Sequence, residues 1–238
     1  MTGGLLPAGL QATDFPQNLY DIELCVSNLR ELPDNLDTKW LPNSVILLEY
    51  GLLTTIPAAL IRLEPNYLFV TGNPIEELPP EIFSTPEMYA LSISNTKIRE
   101  LPRNVTLWSP MLHRVFILDT DISSFWFWVD EVIEQNNEVP TWVAGRSIYC
   151  NDLEKILNGT ANAFQVPLSP EYSAILMDPS EANWPRIFRA VDCDIAVDPL
   201  FYPLSFEDSI NAISTPPEFV KIVPRTRLVT DVMYPTSN

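Results

Sequence analysis

The sequence is poor in residue types on which chemistry often rests. Among its 238 residues there is a single histidine, His113. A His-based zinc site and an HExxH motif are therefore impossible within one chain, and a catalytic triad would have to use His113 itself. Glycine is scarce, with seven residues against 23 prolines, and neither GxGxxG nor GxxxxGK(S/T) occurs. The nucleophile elbow GxSxG is missing as well. The three cysteines, Cys25, Cys150 and Cys193, form no CxxC pair. No run of 18 apolar residues exists, so no membrane span is expected. Basic residues number 14 against 31 acidic ones, a net charge of −17. A chain so acidic has no cationic surplus with which to replace phosphate counterions, which argues against nucleic acid and anionic lipid as partners. The opening MTGGLLPAGL has neither the basic n-region nor the apolar stretch of a signal peptide. For an exported protein it therefore reads as a fragment of something larger.

What is present is a globular composition, 46% hydrophobic and 19% charged. Within it lies a repeat. Leu-Pro or Ile-Pro recurs at Leu32-Pro33, Ile56-Pro57, Leu78-Pro79 and Leu101-Pro102, at spacings of 24, 22 and 23 residues. Aligned backwards from each pair, the chain follows LxxLxLxx(N/S/T)xLxxLP. The inner positions are Ile22, Leu24, Leu29 and Leu32 in unit one, and Ile46, Leu48, Leu53 and Ile56 in unit two. They are Leu68, Val70, Ile75 and Leu78 in unit three, and Leu91, Ile93, Ile98 and Leu101 in unit four. Unit five supplies Val115, Ile117, Ile122 and Phe125, with Trp126 where proline would stand. All twenty positions are apolar. At this composition chance gives that about once in several million trials.

The pattern resembles the leucine-rich repeat family, in its short type that ends in Leu-Pro, over residues 17–135. The resemblance implies an α/β solenoid. Each unit places a short strand at LxL, successive strands pair in parallel, and the inward Leu, Ile and Val stack into one core. Residues 1–18 are expected to cap the N-terminal end, residues 19–135 to form five repeats, and residues 136–238 to form a C-terminal capping region with an extended or disordered tail. Short helical turns are expected at 58–63 and 80–83, and helices at 129–135, 152–157, 180–191 (with Ser180 as N-cap) and 206–213. Position nine of the motif is ordinarily an asparagine that bonds the turns of neighbouring units. Only Asn73 keeps it; Ser27, Gly51, Thr96 and Thr120 replace it. The aromatic run Phe125, Trp126, Phe127, Trp128 is read as a core plug closing the last repeat rather than a ligand platform.

A second resemblance lies beyond the repeats. Tyr149-Cys150-Asn151-Asp152-Leu153, then Asn158-Gly159, Asp192-Cys193 and Tyr202-Pro203-Leu204, is similar to the C-terminal flank of oomycete-type leucine-rich repeat proteins. Many of these carry their repeats outside the membrane. On parallel rungs about 4.8 Å apart, Cys25 would stand far from the other two cysteines. If any pair forms it is Cys150–Cys193, a staple that the extracellular members of the family commonly place in their caps. The alternative is two free thiols in a cytosolic protein. Asn104-Val105-Thr106 and Asn158-Gly159-Thr160 are N-glycosylation sequons.

Acidic pairs are plentiful: Glu76-Glu77, Asp119 with Asp121, Asp130-Glu131, Asp192 with Asp194, and Glu207-Asp208. General acid–base work needs two carboxylates in contrasting environments, and no such contrast is legible here. The chain is not expected to be an enzyme, and no cofactor or metal is implied. The strand residues that alternate with the core point outward in three rows. They are Asp21, Val45, Tyr67, Ala90, Arg114; Glu23, Leu47, Phe69, Ser92, Phe116; and Cys25, Glu49, Thr71, Ser94, Leu118. Val45, Leu47, Tyr67, Phe69 and Phe116 form an apolar patch of the kind that marks an interface. Recognition of a protein or peptide on this concave face is the expected function, in an ectodomain setting. The rival reading is an intracellular scaffold that positions a signalling enzyme. The alternative to an open binding patch is one covered by the C-terminal region or by a missing N-terminal part; if the C-terminal region covers it, binding moves to the lateral loops at Tyr50, Asn95, Lys97, Asp119 and Asp121.

Overall fold

The computed structural model describes residues 2–135 and 140–194. Its centre is a single all-parallel sheet of seven strands in chain order. These are β1 (Asp21–Glu23), β2 (Val45–Leu47), β3 (Tyr67–Phe69), β4 (Ala90–Ser92), β5 (Arg114–Phe116), β6 (Trp142–Val143) and β7 (Val191–Asp192). The register runs Ile22↔Ile46↔Leu68↔Leu91↔Val115↔Trp142↔Val191. The first five strands fall on the LxL segments of the five sequence units, and their outward residues form the rows read from the sequence.

Each unit turns at the same point and in the same way. Val26, Tyr50, Gly72, Asn95, Asp119 and Arg146 all adopt left-handed backbone, with φ between 49° and 72°. Five of the six are not glycine, and a β-branched residue such as Val26 adopts that conformation at a steric cost. A second hydrogen-bond ladder holds them there. Val26 N–H donates to Glu49 O (3.0 Å), Tyr50 to Thr71 (2.7 Å), Gly72 to Ser94 (2.9 Å), Asn95 to Leu118 (2.7 Å) and Asp119 to Gly145 (3.1 Å). Asn73 adds a side-chain bridge between units. Its Nδ2 donates to Leu48 O (2.6 Å) and Val70 O (2.9 Å), and its Oδ1 accepts from Leu53 N–H (3.0 Å). That bridge explains Gly51, since a Cβ there would stand 2.8 Å from Asn73 Oδ1. Thr96 and Thr120 bond only their own turns, to Ile93 O and Ile117 O, each at 2.7 Å.

The Leu-Pro endings steer the chain onto the far side. Pro57 precedes α1 (Ala58–Arg62) as its N-cap, and Pro79 precedes the 3-10 turn Pro80–Ser84 in the same way. Proline's fixed φ suits both places. Three longer helices follow: α2 (Trp128–Gln135), α3 (Ile148–Leu157) and α4 (Trp184–Ala190). Of the aromatic run, Phe125, Trp126 and Trp128 are buried in the main core, while Phe127 is 53% exposed. At the other end Phe15 and Trp40 pack ring to ring, and Trp40 Nε1 donates to Leu10 O (2.9 Å), which anchors the first residues of the chain.

The sheet crosses the boundary set at residue 135. Trp142 and Ala144 take the inner positions of a sixth strand segment, and the turn residue Arg146 repeats the left-handed conformation. Ser147 stands at position nine and caps α3, its Oγ accepting from Cys150 N–H (3.2 Å). Ser180, expected to cap a long helix, makes no side-chain cap bond; a 3-10 turn at Glu181–Asn183 leads into the shorter α4. The helix expected at 206–213 and the tail at 216–238 lie outside the described residues.

Candidate binding face

The sheet has two sides, and both are apolar in part. Its inward side belongs to the main core, which includes Ile22, Ile46, Leu68, Leu91, Val115 and Trp142. The outward side carries a second cluster of Phe69, Ala90, Phe116, Leu118 and Val143, with Leu47 and Tyr67 packed against it. The rings stand close: Phe69 lies edge-on to Phe116 at 5.8 Å and to Tyr67 at 6.2 Å.

Accessibility grades along this face. At the N-terminal end Asp21 and Glu23 are exposed, and Val45, Leu47 and Tyr67 are half-buried. Further on Phe69 and Phe116 are only 1% and 2% exposed. Of the five patch residues, the structure thus leaves three accessible and buries two. Beside the aromatic cluster runs a band of hydroxyls: Thr71 Oγ1 and Ser92 Oγ share a hydrogen bond (2.8 Å), and Ser94 Oγ accepts from Leu118 N–H (3.1 Å).

Cys25 and Glu49 sit in the third row, with Sγ 4.0 Å from Glu49 Oε2. Burial pushes the Cys25 thiol up to about 12, and the neighbouring Glu49 carboxylate adds to the shift. The thiolate is the reactive form, and this environment disfavours it. Iodoacetamide should label Cys25 at least a hundredfold more slowly than an exposed thiol at pH 8, with the rate rising as pH rises. Labelling at an ordinary thiol rate would show that the Cys25–Glu49 arrangement opens in solution.

The other candidate residues lie elsewhere. His113 is half-buried with its ring against Tyr89 (4.8 Å between centroids). Glu76 and Glu77 are exposed, and Asp121 lies 4.0 Å from Arg99. Asp119 pairs with Arg146. Asp130 is structural, accepting from Ala174 N–H (2.8 Å) and from the Ser173 hydroxyl. Among the described residues no group of three or more His, Cys, Asp and Glu is placed to hold a metal ion. No described helix is long and apolar enough to cross a membrane. Glu207 and Asp208 lie outside the described residues.

Cys150 and Cys193 form a disulfide, with Cα atoms 5.6 Å apart, and Cys25 is a free thiol. Asn104 and Asn158 are exposed and lie off the strand rows. Asn158 closes α3, and its Oδ1 accepts from the hydroxyl (2.7 Å) and N–H (3.1 Å) of Thr160. Compared with family models and with curated proteins, the chain matches none.

Proposed function

We propose that this chain is a leucine-rich repeat protein that recognises a protein or peptide through the N-terminal half of its outward sheet face, without catalysis. The observation that carries the reading is the pairing of half-buried Val45, Leu47 and Tyr67 with exposed Asp21 and Glu23 on three adjacent strands. Apolar anchors beside a charged rim are the composition of a binding hot spot. The complementary partner presents an aliphatic or aromatic side chain next to a lysine or arginine. The repeating left-handed turn and the Asn73 bridge support the family reading. The Cys150–Cys193 disulfide and the two exposed sequons support a setting outside the reducing cytosol, in preference to the scaffold reading.

A peptide library selected against the full chain tests this. Selected peptides should carry a basic residue beside an apolar one. Leu47→Asp should weaken them at least tenfold, and Glu23→Lys should weaken them while reducing the salt dependence of binding. Binders indifferent to both substitutions would move recognition to the lateral loops.

A further inference from the structure

The sheet begins with an open strand. Among the described residues β1 pairs only with β2. Alternate residues of a strand turn their backbone groups to opposite edges. Tyr20 O accepts from Val45 N–H (2.7 Å), and Leu24 and Val26 N–H donate to Leu47 O (2.8 Å) and Glu49 O (3.0 Å). The even-numbered residues thus serve β2, which turns the N–H and C=O groups of Asp21 and Glu23 to the open side. The N-terminal residues do not run along that edge. Gly4 O accepts from Arg30 N–H (2.7 Å), and a Cβ on Gly4 would stand 2.8 Å from Asn28 O, so this segment lies against the turn after β1. Asp21 and Glu23 are exposed, as are Leu19 and Tyr20 directly before them.

We propose that β1 is a docking edge, to which an extended basic segment of a partner protein adds as a further strand. Backbone groups on an open sheet edge are a template for pairing. Strand addition draws affinity from main-chain bonds and specificity from alternate side chains. On the outward side the added side chains stand beside Asp21 and Glu23. Opposite charges attract across neighbouring strands, so these positions take lysine or arginine. The positions between them stand beside Ile22 and half-buried Leu24 and take aliphatic residues. Charge on an edge deters indiscriminate pairing, and here both charges are acidic in a chain of net charge −17, so a basic strand is the one admitted. A second copy fits poorly. Two β1 strands paired antiparallel about Ile22 would set Asp21 opposite Glu23, like charge against like. Addition at β1 rests on the recognition reading for its acidic rim and supplies the mode of binding. The partner's backbone lies along β1, and its basic side chains lie over Asp21 and Glu23, towards Val45 and Leu47 in register on β2.

Residue-resolved amide hydrogen exchange of the full chain tests this, with the blocked peptide Lys-Val-Lys-Val-Lys as probe and Glu-Val-Glu-Val-Glu as control. Without peptide, the Asp21 and Glu23 amides should exchange as fast as in an unfolded chain, while the Leu24 and Val26 amides are protected. At saturation the basic peptide should slow Asp21 and Glu23 at least fivefold, and the acidic peptide should leave them unchanged. N-methylation scanned along the basic peptide should weaken binding at least tenfold at alternate amides only, the period of a strand. Failure of the basic peptide to bind, or binding that leaves the Asp21 and Glu23 amides fast, would overturn the proposal. So would a methylation scan without that alternation. Protection already present in the free chain would mean that the chain fills its own edge, or a second copy does if it fades on dilution. Either result overturns the proposal. The recognition reading is judged separately. Library peptides that respond to Leu47→Asp but leave the Asp21 and Glu23 amides fast would uphold recognition and overturn addition at β1.

Discussion

Leu68→Ala should lower the stability of the chain by about 2–5 kcal/mol in denaturant unfolding. Leu68 is fully buried and sits in register between Ile46 and Leu91. Its loss therefore removes contacts to the strands on both sides at once. Because each strand touches mainly its neighbours, a cavity at β3 weakens the middle of the stack, and the far units cannot compensate. An unchanged midpoint would overturn the register that assigns Leu68 inward. Phe69→Ala is the informative companion. The sequence pattern alone makes it the milder change, since Phe69 alternates with the core and points to the open side. At 1% exposure, in contact with Phe116, it should instead cost about 3 kcal/mol, similar to Leu68→Ala. Peptide binding at Leu47 should survive it.

That reversal marks where the sequence stops being informative. Alternation along LxL says which side of the sheet a residue faces, and the strand pairings agree with it for all five units. It says nothing of whether that side is covered. The sixth strand segment was hidden for a different reason. Its inner positions hold Trp142 and Ala144, a large and a small side chain that together do the work of two leucines, so a search for aliphatics passes over it. The insertion of α2 also stretches the spacing from Val115 to Trp142 to 27 residues. The seventh strand is two residues long and has no unit of its own to announce it. The weak asparagine row was legible, but its consequence was not. Asn73 reaches into the space that Gly51 leaves empty, a relation between two units that no single unit displays.

Replacing both Cys150 and Cys193 by serine should cost about 2–4 kcal/mol, and the loss should be local at first. The bond closes a loop with a sequence separation of 43 residues, worth up to about 4 kcal/mol on the chain-entropy account. It also joins α3 to the end of the sheet, where β7 contributes only Val191 and Asp192. Among the described residues that edge is also held by the β6–β7 pairing, the bond from Ala144 N–H to Asp192 O (2.7 Å), the buried side chains of Ile187, Ala190 and Val191 in the main core, and close packing of Asp194 over Gly145. A Cβ on residue 145 would stand 2.5 Å from Asp194 O, so the edge tolerates no bulk beneath it. In the serine variant the Ala144 amide should exchange with deuterium much faster than in the parent, while the Leu48 and Val70 amides, in the middle of the sheet, keep their protection. Non-reducing peptide mapping of the parent should give Cys150 joined to Cys193 and Cys25 free. A Cys25–Cys150 peptide would contradict the strand order itself, because Cys25 follows β1 and Cys150 follows β6, five strand spacings away.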